Sequence, residues 1–260
     1  MHYEPHDYQK YATEKIIELP ACALFMEMGL GKTVSTLTAI DELIYDRFEV
    51  EKVLVIAPYR VADDTWTTET EKWDHLKHLR VSKVLGTSGE RIAALEADAD
   101  IYVINRENVT WLVNLTGKEW PFEMIVVDEL SSFKSNSAKR FKSLRIVRPL
   151  ARRFVGLTGT PAPNGLLDLW PQVYLIDRGE RLGKTYTGYK DRYFLPDRRN
   201  GFVVYSWTPK EGAKEAIEQK LSDICISMKA DDYLNLPAQI VNDVYVSMDR
   251  HEMRKYRELE

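Results

Sequence analysis

Apolar runs of about five residues alternate with amphipathic stretches through the first ~175 residues of the chain. Candidate strands are Ala21–Phe25, Val53–Ala57, Val81–Leu85, Ile101–Ile104, Met124–Val127 and Phe154–Leu157. Unbroken apolar runs of this kind suit strands covered on both faces. Helical spacing appears at Leu37, Ile40 and Leu43, and again at Ala138, Phe141, Leu144 and Val147. Strand then helix, repeated, predicts an α/β fold: a parallel sheet with helices on both faces.

The pattern changes after Asp177. Residues 178–201 are rich in Gly, Tyr and Arg, lack a clear period and read as an insertion or protrusion. Phe202–Trp207 is a further candidate strand, and a helix is predicted from Pro209 to Leu221. Ile224–Met228 and Ile240–Val246 read as two more strands, and Asp249–Glu260 as helix-like. The chain stops inside that last segment, as a cut through a longer protein would. The expected division is a core over 1–177, an insertion over 178–223, and last strands with a lead-in to further chain over 224–260.

Residues 24–33 read L-F-M-E-M-G-L-G-K-T. A strand, a glycine-containing turn and a helix starting near Lys32 form the context in which a P-loop NTPase holds phosphates. Backbone N–H groups of Met28, Gly29, Leu30 and Gly31, with the helix N-terminus, would face the phosphates. Gly29 and Gly31 let the backbone approach closely. Lys32 would reach the β- and γ-phosphates, and the Thr33 hydroxyl would bind Mg²⁺. The general pattern has its first glycine at position 26, where this chain has Met.

Residues 124–129 read M-I-V-V-D-E. An apolar strand delivers Asp128 and Glu129 at its C-terminal end, where parallel sheets place ligands. Asp128 would hold Mg²⁺, and Glu129 would orient and deprotonate an attacking water. Alone, the pair also reads as an acidic helix start; expected on a strand neighbouring that of Lys32 and Thr33, it reads as catalytic. A strand then runs into the turn Thr158-Gly159-Thr160-Pro161, an ordinary strand-end turn or a relay through the Thr158 and Thr160 hydroxyls.

Composition narrows this little. Of 260 residues, 44% are hydrophobic and 29% charged, ordinary for a globular protein. No stretch approaches the ~20 apolar residues of a membrane helix, and the N-terminus shows no signal peptide. Cys22 and Cys225 read as buried reduced thiols, suiting a cytosol. Net charge is −4, mildly against a nucleic-acid binder, yet residues 130–160 hold no acidic residue. Lys134, Lys139, Arg140, Lys142, Arg145, Arg148, Arg152 and Arg153 there read as a solvated helix face or a phosphate-contacting surface.

In chain order the motifs are D-Y-Q (Asp7 to Gln9), M-G-L-G-K-T (Met28 to Thr33), I-A-P (Ile56 to Pro58), D-E (Asp128, Glu129) and L-T-G-T-P (Leu157 to Pro161). This series resembles the first RecA-like lobe of superfamily-two helicases, and within them the Swi/Snf-like ATPases. E-M-G-L-G-K-T, and L-T-G-T-P followed by Asn164 and Leu169-Trp170, carry the closer likeness, whereas DEAD-box RNA helicases have Ser-Ala-Thr at the latter place. Departures are Met26 where the family has Asp, D-E-L-S (Asp128 to Ser131) where it has D-E-G-H or D-E-A-H, and Met228-Lys229 where it has an Arg pair. Phe133 to Asn136 resembles the family's I-K-N stretch, and Ile226 to Leu236, Pro237, Val244 to Met248 and Tyr256 its path to a second lobe.

The resemblance implies ATP with Mg²⁺, Gln9 reading adenine, and motion along the phosphate backbone of double-stranded DNA with low sequence specificity. It implies backbone contacts near Pro58 and Arg60, with Asn105, Arg106 and Lys134 as further candidates. Trp66 and Trp73, near the first of these, are expected in the core. A second RecA-like lobe would supply arginines to the reaction, so the chain alone would bind Mg-ATP and hydrolyse it very slowly. A start so close to Gln9 resembles compact phage or bacterial versions, hence a bacterial cytoplasm. Rival readings are an RNA or single-stranded DNA helicase, a non-hydrolysing nucleic-acid-binding module, and a small-molecule kinase.

Overall fold

Alternate residues of the central strands enter two separate cores, which explains their unbroken apolar character. Leu54, Ile56, Ile125 and Val127 face one cluster; Val53, Val55, Met124 and Val126 face the other. The structure, a computed structural model, describes residues 1–162, 165–200, 203–228, 233 and 253. Its main sheet has seven parallel strands. They are β1 (Ala21–Met26), β2 (Val53–Ala57), β3 (Val81–Val84), β4 (Ile101–Asn105), β5 (Met124–Asp128), β6 (Arg153–Thr158) and β11 (Cys225–Met228), in the order β11-β1-β6-β5-β2-β4-β3.

One face is covered by α1 (Asp7–Glu18), α2 (Lys32–Asp41) and α3 (Trp66–Lys72). The other carries α4 (Ser88–Glu96), α5 (Val109–Thr116), α6 (Lys139–Val147), α7 (Leu169–Asp177), α8 (Tyr186–Tyr193) and α9 (Ala213–Leu221). The expected α/β fold with helices on both faces is present. In α6 the buried positions Phe141, Leu144 and Val147 are those of the sequence period.

The chain after Asp177 differs from expectation. Residues 186–193 form α8, whose Tyr189 is fully buried and donates to the Leu166 carbonyl at 2.7 Å. Two small antiparallel pairs follow, β7 (Phe194–Pro196) with β10 (Trp207–Pro209) and β8 (Arg199–Asn200) with β9 (Val203–Val204). The expected strand over 202–207 is therefore two short strands. Pro209 ends β10 rather than opening the helix, which starts at Ala213: on a two-stranded ribbon proline need not donate. Expectations for Asn164, Phe202, Lys229, Pro237, Ile240–Val246, Val244 to Met248 and Asp249–Glu260 with Tyr256 lie outside the described residues. Cys22 and Cys225, distant in sequence, come to neighbouring strands but belong to opposite faces, and both are free. Burial pushes the Cys22 thiol up to about 12, which keeps it protonated and unreactive.

Candidate nucleotide site

Every sequence-selected site residue sits in α1, at the C-terminal ends of β1, β2, β4, β5 and β6 or in the turns that follow, or, for Lys32 and Thr33, in the first turn of α2. The turn after β1 holds two glycines in the left-handed region, Gly29 at φ 86° and Gly31 at φ 77°. A Cβ at Gly29 would meet open space, so its requirement is conformational. At Gly31 a Cβ would also lie 2.3 Å from Gln9 Nε2. Met26 needs no glycine: it is the last residue of β1, fully buried in the sheet. Met28 is 89% exposed, so only its backbone can serve the loop.

Gln9 joins α1 to this turn. Its Oε1 accepts from the His6 backbone N–H at 3.0 Å and its Nε2 donates to the Leu30 carbonyl at 3.3 Å. These bonds fix the amide orientation and leave one acceptor lone pair and one N–H. That pair of groups matches the donor and acceptor of an adenine edge. Beside the turn lies a cleft of about 510 Å³, lined by Gln9, Gly31, Lys32, Thr33, Tyr3 and Trp73 among others. This volume suits a small-molecule ligand.

Lys32, the first residue of α2, donates to the carbonyls of Met26 at 2.7 Å and Glu27 at 3.1 Å. Burial pushes its ammonium below the ordinary value, while the carboxylates of Asp128 and Glu129 push the other way. Burial likewise raises the Asp128 carboxyl, opposed by the Trp66 indole N–H, which donates to Oδ2 at 3.1 Å, and by Lys32. Three charged groups thus share one desolvated region, although β6 separates β1 from β5: the two motif strands are not direct neighbours as expected.

The intervening strand supplies the link. Thr158, at the end of β6 and fully buried, donates its hydroxyl to Glu129 Oε1 at 2.7 Å. The Thr160 backbone N–H donates in turn to Thr158 Oγ1 at 3.2 Å. A Cβ at Gly159 would sit 3.4 Å from the Met26 carbonyl, so this turn lies against the phosphate-type loop. Glu129 starts a short 3₁₀ turn in the left-handed conformation, φ 60°. Ser131, at the departure D-E-L-S, donates to the same Glu129 Oε1. Leu130, where the resemblance expects a small residue, is fully buried over Gly156, whose Cβ would come 2.4 Å from it. The larger residue is accommodated by the glycine one strand away.

The candidate backbone contacts are less uniform. Pro58 and Arg60 follow β2, with Arg60 exposed, and Lys134 follows β5, half-buried. Asn105 is buried, its amide bonded to Glu107 at 3.0 Å and Asn108 at 2.6 Å, and Arg106 pairs with Glu107 at 2.9 Å. Two members of the acid-free stretch are buried rather than part of an exposed helix face. Arg153 donates to the carbonyls of Ile16, Ile17 and Leu19 and to Glu49, closing the C-terminus of α1. Arg148 does the same for α7 through the carbonyls of Leu175 and Ile176. Both buried guanidiniums satisfy helix-end carbonyls that would otherwise lack donors.

Sequence reasoning missed three contributors. Trp66 is in the core as expected, but it also holds Asp128. Trp73 is half-buried and lines the cleft, edge-on to Tyr3 with centroids 5.1 Å apart. Ser131 was visible only as a departure; a hydroxyl two residues after a strand-end carboxylate was the readable signal.

Comparison with known proteins was consistent across three levels. Residues 11–260 match the family model described as SNF2-related domain. The chain is 36% identical to "Putative protein p41" of Acyrthosiphon pisum secondary endosymbiont phage 1, over 99% of this chain and 57% of that one. It is 28% identical to the DNA annealing helicase and endonuclease ZRANB3 of Bos taurus, over 84% of this chain and 20% of the other. Among solved structures, a Sulfolobus solfataricus SWI2/SNF2 ATPase core in complex with dsDNA superposes with a TM-score of 0.71 at 24% identity, covering 88% of this chain and 45% of that one. The chain thus spans about half the length of the phage relative and less of the animal one.

Proposed function

The chain belongs to the SNF2-related domain family, and on that premise we propose that it is the ATP-binding lobe of a DNA-dependent ATPase that moves along double-stranded DNA. The observation that carries the reading is the gathering of Lys32, Asp128, Glu129 and Thr158 at the ends of three adjacent strands. Gln9 would read the adenine edge. Lys32 would exchange the Met26 and Glu27 carbonyls for phosphate oxygens. Glu129, held by two hydroxyls on Oε1, would orient the attacking water and take its proton.

Thr33 and Asp128 offer a hydroxyl and a carboxylate oxygen, the hard donors Mg²⁺ prefers, with phosphates and waters as the remaining ligands. The buried Asp128 carboxylate, supported by one indole N–H, fits such a partner. Mg²⁺, when bound, supplies neutralisation of the charge on the transferring phosphoryl group.

Among the described residues no arginine lines the nucleotide cleft. A second RecA-like lobe would supply one, an effect worth ~10³–10⁵ in rate. Under this reading residues 1–177 are the catalytic core, 178–223 an appendage, and 224–260 the lead-in to the second lobe. Double-stranded DNA as track is supported by the dsDNA complex of the structural neighbour and by the DNA-acting names of relatives. Arg60, Lys134 and Pro58 lie on the same sheet edge, so contacts would be to backbone phosphate, with low sequence specificity and steep salt dependence. No helix among the described residues is long and apolar enough to cross a membrane, and the phage relative supports a bacterial cytoplasm as the workplace.

Titration of the 260-residue chain with a fluorescent ATP analogue and Mg²⁺ tests the nucleotide half of this reading. Saturable binding abolished by Lys32→Ala, with negligible hydrolysis even with duplex DNA, is expected. Binding unaffected by Lys32→Ala, or brisk turnover by the isolated chain, would contradict it.

A further inference from the structure

The acid-free stretch also borders a second cavity, of about 510 Å³, at the opposite edge of the sheet. It lies where Ala21 opens β1, Arg152 precedes β6 and Ile224 precedes β11. Four arginines and three carboxylates line it, one cation in excess. Arg181 is committed to Asp223 at 2.6 Å and Asp177 at 3.4 Å. Asp177 also accepts from the backbone N–H groups of Gly179, Glu180 and Arg181. Glu180 is exposed and is the one lining carboxylate without a bonded arginine among the described residues.

Arg152 and Arg178 are exposed and form no ion pair among the described residues. Arg148 is 5% exposed and gives three N–H groups to the carbonyls of Ala151, Leu175 and Ile176. A guanidinium carries five N–H groups, so two remain on its terminal nitrogens, and no carboxylate is bonded to it. Burial pushes Arg148 down to about 10, repulsion from Arg178 adds to this, and Asp177 opposes it. The partial negative charge of the α7 C-terminus, which would repel an anion, is already covered by the same guanidinium.

We propose that this cavity is a second anion site, for a phosphate-bearing small molecule, with Arg148 as its buried floor and Arg152 and Arg178 as its outer arms. A phosphate group suits it better than a carboxylate, because it offers more acceptor oxygens to several guanidinium forks at once. A molecule held there ties the starts of β1 and β6, the strands that end at Lys32's loop and at Thr158, to the segment after α7. The site is separate from the nucleotide cleft and stands whether or not that cleft binds ATP.

Equilibrium dialysis of labelled inorganic pyrophosphate against the Lys32→Ala chain tests it, with the nucleotide loop silenced. Arg178 has φ 58°, so Arg178→Gly removes its charge where glycine is at ease, and Arg152→Ser alters an exposed side chain. Saturable binding of a single pyrophosphate is expected, weakened about tenfold or more by Arg152→Ser with Arg178→Gly at unchanged melting temperature. Failure of the Lys32→Ala chain to bind pyrophosphate would overturn the proposal, as would binding that the double substitution leaves unchanged.

Discussion

Removing the Thr158 hydroxyl while keeping its shape should impair the chemical step and leave nucleotide affinity almost intact. Thr158 is fully buried and its Oγ1 lies 2.7 Å from Glu129 Oε1, which Ser131 also bonds. Valine fills the same volume but leaves that carboxylate oxygen one donor short and strands the Thr160 N–H, 3.2 Å from Oγ1. A hydrogen bond to a charged group contributes about 1.5–3 kcal/mol, and Glu129 is already in a left-handed backbone conformation that depends on its surroundings. If most of that loss falls on the transition state, kcat drops about tenfold to a hundredfold, since ~1.4 kcal/mol is a factor of ten. Thr158 does not line the nucleotide cleft, so KM for ATP should stay within about twofold. The assay is steady-state ATP hydrolysis, with saturating duplex DNA, by a protein that joins this chain to the proposed second RecA-like lobe. Ser131→Ala should show a smaller loss, and the double variant less than the sum, because both hydroxyls share one acceptor. An unchanged kcat, or a loss carried wholly by KM, would refute the role given to this network.

Three further outcomes follow from the geometry. Arg153→Met removes the donor to two α1 carbonyls and to that of Leu19 just after it, and the partner of Glu49, and should cost about 3 kcal/mol in urea unfolding; a loss under about 1 kcal/mol would show that the cap contributes little. Gly31→Ala should weaken nucleotide binding more than Gly29→Ala, because only the former drives a Cβ into Gln9; equal effects in a binding titration would remove Gln9 from the account. Asp128 is raised above its ordinary 3.8 by burial, so its ionised form is disfavoured in the folded chain. The penalty is absent below the unfolded value, grows as pH rises from that value to the folded one, and is full above it. Asp128→Asn should therefore stabilise the chain at pH 7 and not at pH 3.5; a melting curve showing destabilisation at neutral pH would reverse the argument.

Features set by local periodicity were legible and features set by distant partners were not. The main-sheet strands were readable to within a residue or two, most of them because they are apolar on both faces. The two acidic and phosphate-type motifs were readable because each needs a strand, a turn and specific residue types in series. Arg148 and Arg153 could not be told from their exposed neighbours, because their carbonyl partners lie in α7 and at the end of α1, far away in sequence. Trp66 looked like core and is core; its bond to Asp128 joins residues 62 apart. The α8 helix did have a signal, tyrosines at 186, 189 and 193 on one helical face, but Gly188 and the surrounding charges hid it.

The central claim is that this lobe powers movement on duplex DNA. The most direct measurement is ATP hydrolysis by a protein that joins this chain to the proposed second lobe, with no polymer, duplex DNA, single-stranded DNA and RNA, using Glu129→Gln as the blank. Stimulation mainly by duplex DNA, lost in the Glu129→Gln protein, is the predicted result. Stimulation mainly by RNA or single strands, or a rate indifferent to polymer, would contradict it.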